Sequence, residues 1–421
     1  MIEPTRGRLT AAIAALQVVL GLTRPADLAL KSFFRDHPEL GQNDRAFVAD
    51  LVFTVLRHLR LLEHLAGEAM PRRLALAALT LQSGLSVREL SPMLTSDEEA
   101  WLAQARAVDQ ALLPPAIRLS LPDWLYERLA RDHTAQALET LARGLLQPAP
   151  LDLRVNTMLV TRDEVLSAFQ RDGMPAAPTV YSPAGVRLES KPALQRHPLF
   201  LEGKVEVQDE GSQLLAYLVA PRRREMVVDL CAGAGGKTLA LGALMHSEGR
   251  LYAFDTAEKR LANLKPRLKR SGLSNVHPQL IQGVGDVRVK RLASKIDRVL
   301  VDAPCSGLGT LRRNPDLKWR QRPESVAEMA VKQRAILESA ARLIKPGGRL
   351  VYATCSLLQE ENESVVDDFL REHPAFQLTP PGEILRRQGI DLDTGEYFRV
   401  LPHSHAMDGF FAAVLERKAA A

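Results

Sequence analysis

The chain has 421 residues, 46% of them hydrophobic and 25% charged, with a formal net charge of +5. That length exceeds one ordinary core and predicts two or three domains, and the apolar share excludes a disordered chain. The mild positive excess permits a polyanionic partner without requiring one. No stretch reaches the ~20 apolar residues of a membrane span, so a cytoplasmic protein without a membrane partner is expected.

In chain order, the first 145 residues read as helical. Arg6 and Arg8 ahead of residues 11–22 mimic a signal peptide. Gln17 interrupts the run, no small-x-small site follows, and Leu9, Ile13, Leu16 and Leu20 recur at helical spacing. An amphipathic core helix is therefore expected. Phe47, Val48, Leu51, Val52, Val55, Leu59 and Leu62 form one face of another helix, with Asn43 and Asp44 where a cap belongs. Further helices are expected over 72–82, 96–112 and 124–145. Proline-bearing breaks follow at 113–115 and 147–150, and a domain boundary at the second closes an all-helical domain over 1–145.

Composition then shifts. Residues 151–156 read as a strand, 161–171 as a helix and 173–207 as short strands with turns, a small α+β module within 146–220. From Met226, apolar runs at 226–230, 250–254, 276–282, 298–301 and 349–353 alternate with helical stretches. This implies βαβ units and a mostly parallel sheet, placed over 221–417. The fold class expected is α/β, a Rossmann-like sheet preceded by the α+β module and the all-α domain.

The first chemical motif is a strand ending in Asp229-Leu230 and running into Cys231-Ala232-Gly233-Ala234-Gly235-Gly236-Lys237-Thr238. Glycines allow close backbone approach to a ligand, and a helix start offers free N–H groups. Three readings compete. A Walker A loop needs glycine at Cys231, a dinucleotide fingerprint needs glycine at Thr238, and an adenosylmethionine pocket accepts both residues. The loop alone does not decide. Asp255 ends the next strand about 20 residues on, where a carboxylate can accept from ribose hydroxyls; its alternative is a helix cap. Asp286, after the third strand, is placed to meet an adenine amino group. Acids after three successive strands favour an adenosine cofactor over a polyphosphate.

Three cysteines without a CxxC pair imply neither a zinc site nor a disulfide framework. Cys305, in Asp302-Ala303-Pro304-Cys305-Ser306-Gly307, and Cys355, in Tyr352-Ala353-Thr354-Cys355-Ser356, each follow an apolar strand. That is the edge where open α/β sheets bind ligands, and the two could meet in one cleft. A thiolate adding at C6 of cytosine turns C5 into a nucleophile able to take a methyl group.

Residues 302–319 (DAPCSGLGTLRRNPDLKW) and 353–366 (ATCSLLQEENESVV) closely resemble the RsmB (Sun) family of bacterial 16S rRNA cytosine-5 methyltransferases. The resemblance extends to residues 207–213 (VQDEGSQ) and 408–411 (DGFF), and covers about 150–417. More faintly, Asp44-Arg45-Ala46-Phe47 and Val55-Leu56-Arg57 resemble the family's NusB-like RNA-binding domain. The resemblance implies S-adenosyl-L-methionine as cofactor, no metal, and RNA, 16S rRNA in the first instance, as partner. It implies that Cys355 attacks C6, that Cys305 assists product release, and that Asp302 meets the cofactor amino group or the base edge and helps protonate N3. Asp255 then holds the ribose and Asp286 the adenine, while Cys231, Ala232, Gly233, Ala234, Gly235, Gly236 and Lys237 line the cofactor, with Arg260 near it. The chain departs from the family's Ala-Ala-Pro-Gly-Gly-Lys loop at Gly233-Ala234; losing the proline removes a φ constraint.

The same chemistry on tRNA and a catalytically silent assembly factor remain alternatives. A P-loop NTPase fails at Cys231, and DNA cytosine methyltransferases use a Pro-Cys nucleophile that Pro304-Cys305 imitates. After Cys305, residues Arg312, Arg313, Lys318, Arg320 and Arg322 surround Trp319. They can hold phosphates and stack a base, or form a solvated loop with a core tryptophan. Arg222–Arg224 and the basic residues from Lys259 to Arg270 add charge. No coiled-coil pattern is present, and a monomer is expected.

Overall fold

Helices over Arg6–Val19, Ala26–Asp36, Gln42–Ala66, Pro71–Ala77, Ser96–Ala107, Asp123–Asp132 and Ala135–Leu145 build the first of two units in the computed structural model, which describes residues 2–419. Leu9, Leu16, Phe33, Phe47, Val52, Leu56, Leu62 and Leu74 lie in its core. On the first helix Ile13 and Leu20 are only half-buried, and Ala12, Ala15 and Val19 complete the inward face beside Leu9 and Leu16. The third helix starts two residues earlier than expected. Gly41 is its N-cap, and Asp44 sits inside the first turn, where its Oδ2 accepts from Gly41 N at 3.1 Å and its Oδ1 from Arg8 Nε at 2.8 Å. The stretch 124–145 is two helices. His133 is extended, and Thr134 caps the second by accepting from Ala137 N.

This unit runs to Pro148 and takes in a distant segment, Thr310–Pro323. There Trp319 Nε1 donates to Leu56 O at 2.7 Å, Lys318 Nζ to Arg57 O at 2.8 Å, and Arg57 Nη2 to Arg312 O at 3.0 Å. Asp316 accepts from Ala26 N and from Arg320 Nη1, both at 3.2 Å. Lys318 is 2% exposed, and burial, helped by the charge of Arg57, holds its amine well below the usual lysine range. Trp319 is thus the core tryptophan. Of the two sequence readings, phosphate and base contact or a core tryptophan, the second holds for Trp319, and Lys318 is buried beside it: the apolar faces of the helices claim both stems. Arg322 is exposed and Arg313 half-buried.

The second unit holds two sheets. Strands β1 (Leu151–Val155), β2 (Ala176–Pro178), β3 (Gly185–Leu188) and β4 (Val205–Val207) form an antiparallel sheet in the order β2-β3-β1-β4. The helix Arg162–Arg171, capped by Thr161, packs Val165 and Phe169 into its core.

The larger sheet comprises β5 (Met226–Asp229), β6 (Arg250–Asp255), β7 (Val276–Leu280), β8 (Ile296–Asp302), β9 (Ile344–Thr354), β10 (Phe376–Leu378), β11 (Phe398–Val400) and β12 (Phe410–Arg417). Its order is β10-β12-β9-β8-β5-β6-β7, with β11 paired to β12. Strands β5 to β9 are parallel and coincide with the five apolar runs, and β10 to β12 add an antiparallel flank absent from the sequence reading. Apolar clusters cover both faces. The helix Glu210–Val219, within 146–220, packs Leu214, Leu215 and Leu218 into the core of this larger sheet. The strand order reverses at β5, which lies between β6 and β8, so the crevice at its carboxyl end is the binding position of such a fold.

Candidate active site

At that reversal β5 ends in Asp229, and the chain turns through Cys231–Gly235 into the helix Gly236–Leu244. Gly235 takes a left-handed φ of +82°, and a Cβ there would meet Leu264 Cδ1 at 2.1 Å, so only glycine fits. Two partners fix the turn from outside. Asp255, at the end of β6, accepts from Gly233 N at 2.7 Å through Oδ2 and from Ala257 N at 2.6 Å through Oδ1. It therefore closes the turn ahead of the helix Glu258–Ser271 and braces the loop at once. Arg267 donates through Nη1 to Ala234 O at 2.7 Å and is itself held by Glu206 on β4 at 2.9 Å. In the sequence Arg267 is one of the basic residues from Lys259 to Arg270, and no pattern marks a side chain that reaches back to a carbonyl 33 positions upstream.

The crevice is acidic. Asp229 is buried; its Oδ2 accepts from Thr238 Oγ1 at 2.6 Å, and its Oδ1 has no partner. Burial pushes its carboxyl up to about 7, with the charges of Asp302 and Asp255 adding to the effect. Burial and the same three carboxylates push the Cys231 thiol far up, so it is no thiolate. Lys237 does not project a free ammonium: its Nζ donates to Asp302 Oδ2 at 2.7 Å and lies 5.5 Å from the Phe410 ring. Burial opposes that charge, but the Asp302 carboxylate outweighs it and the amine is raised. Three converging carboxylates repel polyphosphate and suit ribose hydroxyls and a sulfonium cation. The orphaned Asp229 oxygen and the open space above Gly233 leave room for such a group.

Other expected cofactor residues are less central. Asp286 caps the short helix Val287–Lys290, its oxygens accepting from Arg288 N and Gln282 N, which lowers its pKa. Arg260 is exposed on the helix after Asp255.

The two strand-end cysteines do meet. Cys305 follows β8 and Cys355 follows β9, and their sulfurs lie 3.4 Å apart. The hydrogen bond to Cys355 and then burial raise the Cys305 thiol well above its ordinary value. Gly309 N donates to Cys355 O, and Gly409 N to Gly309 O, each at 2.8 Å. A Cβ on Gly309 would lie 2.1 Å from Gly409 O, so this three-chain contact at the start of β12 requires glycine. Beneath it, Glu361 accepts from Ser306 and Ser356, the residues following each cysteine. Glu361, Gln333 and the serine pair carried no assignment from sequence, although Glu361 falls inside the quoted 353–366 motif.

The family described as 16S rRNA methyltransferase RsmB/F matches residues 216–416, and a ferredoxin-like domain of RsmF/B-like methyltransferases matches 121–195. The probable ribosomal RNA small subunit methyltransferase B of Synechocystis is 33% identical over 93% of this chain and 95% of its own length. The chain belongs to the RsmB/F family. Ribosomal RNA small subunit methyltransferase B of Citrobacter koseri is likewise 33% identical, over 90% and 92%. The crystal structure of PH0851 superposes with a TM-score of 0.78 at 28% identity, covering 98% of this chain and 99% of that one. An RsmB/F chain uses S-adenosylmethionine, which fits the acidic crevice, and the P-loop reading is excluded. Among the described residues no helix is long and apolar enough to cross a membrane, and no cluster of three His, Cys, Asp or Glu is placed to hold a metal.

Arg267→Ala removes a charged donor from the Ala234 carbonyl. Since the contact is indirect, cofactor affinity is expected to fall about 3- to 10-fold, read by calorimetric titration with S-adenosylmethionine. Unchanged affinity would show that the turn is rigid without it.

Proposed function

We propose that this chain methylates C5 of a cytosine in 16S rRNA through a covalent bond between Cys355 and C6. The single observation carrying this reading is the 3.4 Å approach of two thiols at the carboxyl ends of neighbouring strands, beside the cofactor crevice. S-adenosylmethionine would be held there by the 231–237 turn, Asp255 and Asp302, with Asp286 toward the adenine, and would supply an electrophilic methyl group to C5, its sulfonium leaving as the neutral thioether.

The residues of the chain do the rest. The Cys355 thiolate donates its electron pair to C6, and the C5–C6 π electrons move toward C5 and the ring. Asp302 hydrogen-bonds the base edge and assists protonation at N3. Lys237, whose charge Cys355 is among the groups to favour, is the cation facing the developing negative charge. Once the Cys355 sulfur is bonded to carbon its charge is gone, and with it the largest cause holding the proton on Cys305. Cys305 can then give its proton to solvent and, as thiolate, take the proton from C5. The C5 electrons re-form the double bond, and the sulfur–C6 bond breaks, returning Cys355 as thiolate.

A base edge must leave its stack to enter such a crevice, so the substrate is RNA with an accessible cytosine. The division of labour proposed is RNA recruitment by the helical part over 1–145, RNA contact by 146–220 and methyl transfer by 221–417. The deciding experiment is methyl transfer from labelled cofactor to unmodified ribosomal and transfer RNA, followed by digestion to nucleosides. Label in 5-methylcytidine from 16S rRNA is expected. Label in another nucleoside overturns the chemistry, label in tRNA the substrate, and none in any RNA the activity itself.

A further inference from the structure

We propose that Glu361 is the positioning residue of the two-cysteine site: its carboxylate fixes both cysteine loops in one register and sets a negative charge against the Cys305 loop. The proposal rests on the reading of Cys355 as nucleophile.

Glu361 closes the short turn Gln359–Glu361 after β9, and its side chain is 0% exposed. One oxygen accepts from Ser306 N at 2.8 Å and from Gln333 Nε2 at 3.0 Å. The other accepts from Ser306 Oγ at 2.5 Å and from Ser356 Oγ. Ser306 follows Cys305 in the chain and Ser356 follows Cys355. Gln333 Nε2 also donates to Pro304 O at 2.9 Å, immediately before Cys305. One carboxylate therefore holds the Cys305 loop on both flanks and the Cys355 loop on one. The neighbouring Asn362 completes the second loop, accepting from Thr354 Oγ1 at 2.5 Å and donating to Ser356 O at 3.2 Å. Tyr352 OH anchors the turn by donating to Glu361 O at 2.6 Å.

All four donors to the carboxylate are neutral. A buried carboxylate without a cation is costly, and a fold that needed only a clamp could use an amide here. What the charge adds is a negative potential on one side of the pair. Glu361 is among the causes that hold the proton on Cys305, after the Cys355 hydrogen bond and burial. On the other side, Cys355 is among the groups that favour the ammonium of Lys237. The clamp and its charge thus keep Cys305 protonated until the adduct forms, the role the proposed mechanism gives it.

The test uses the full chain and the isosteric Glu361→Gln, which keeps volume and one acceptor but removes the charge. Alkylation of Cys305 and Cys355 by iodoacetamide is followed across pH 6–10 by peptide mass spectrometry, alongside kcat and cofactor KM. Cys305 is expected to alkylate at a pH about one unit lower in the variant, with kcat down about 10- to 100-fold and cofactor KM unchanged. Glu361→Asp, which keeps the charge, is expected to preserve the Cys305 profile while losing part of kcat. An unshifted Cys305 profile in a folded Glu361→Gln chain overturns the proposal. So does a shift shared by Glu361→Asp, or a loss of cofactor binding in both variants, since either marks a merely structural role. The profile is read without RNA, so failure of the cytosine chemistry itself shows separately, as 5-methylcytidine surviving Cys355→Ala.

Discussion

Replacing Cys305 with alanine is expected to trap the protein on its RNA. In the mechanism above Cys355 makes the bond and Cys305 lets it go, and their sulfurs lie 3.4 Å apart, close enough to serve the same base. Alanine leaves the Cys355 attack intact and removes the group that takes the C5 proton. Loss of a positioned general base slows its step by about 10^2- to 10^4-fold, which moves the slow step to adduct breakdown. A species that survives boiling in denaturant and disappears on RNase digestion should accumulate in stoichiometric amount. If the variant turns over normally with no such species, water serves as the base and Cys305 has another purpose.

The second large effect is at Cys355. Cys355→Ala removes the only electron pair the mechanism offers to C6, and no hydroxyl replaces it. Deleting a covalent nucleophile costs roughly 10^4-fold or more in kcat, so 5-methylcytidine should fall below detection. Binding of S-adenosylmethionine should hold, because the 231–237 turn is braced by Asp255 and Arg267 and not by this thiol. The double variant Cys305→Ala with Cys355→Ala should form no adduct, which ties the trapped species to one sulfur. Residual adduct in that chain would point to Cys231, although its raised thiol argues against it.

Much of this molecule was legible in its sequence, for identifiable reasons. The five parallel strands are buried on both faces, so each reads as an unbroken apolar run, and β5 to β9 fell where those runs are. The cysteines announced themselves by following such runs. What escaped notice depends on partners distant in the chain. The strand β12 inserts beside β9, pairing Phe411 with Thr354, and nothing in its own residues says it is antiparallel. Arg267 resembles any lysine-rich helix surface until Ala234 is placed beneath it. Glu361 sits beside Glu360 and Glu363 with nothing local to set it apart, and only the return of Ser306 to its side reveals a buried clamp. Trp319 could be stacking platform or core, and Leu56, more than 250 residues away, decides it.

The capture of Thr310–Pro323 by the helical unit also sets an order of events during synthesis. Helices up to Pro148 leave the ribosome first, yet their complement of contacts is incomplete until Trp319, Lys318 and Asp316 arrive. At about 5–20 residues per second, the intervening stretch of about 175 residues takes roughly 9–35 seconds to make. Throughout that interval the Leu56 and Arg57 carbonyls and the Ala26 N–H lack their final partners, and apolar surface stays open. The N-terminal part finishes folding only when the chain has passed the Cys305 loop, so a nascent protein cannot complete its helical unit before β8 has been made. A polypeptide cut after residue 148 should therefore be the less stable fragment, and supplying residues 310–323 as a peptide should restore it.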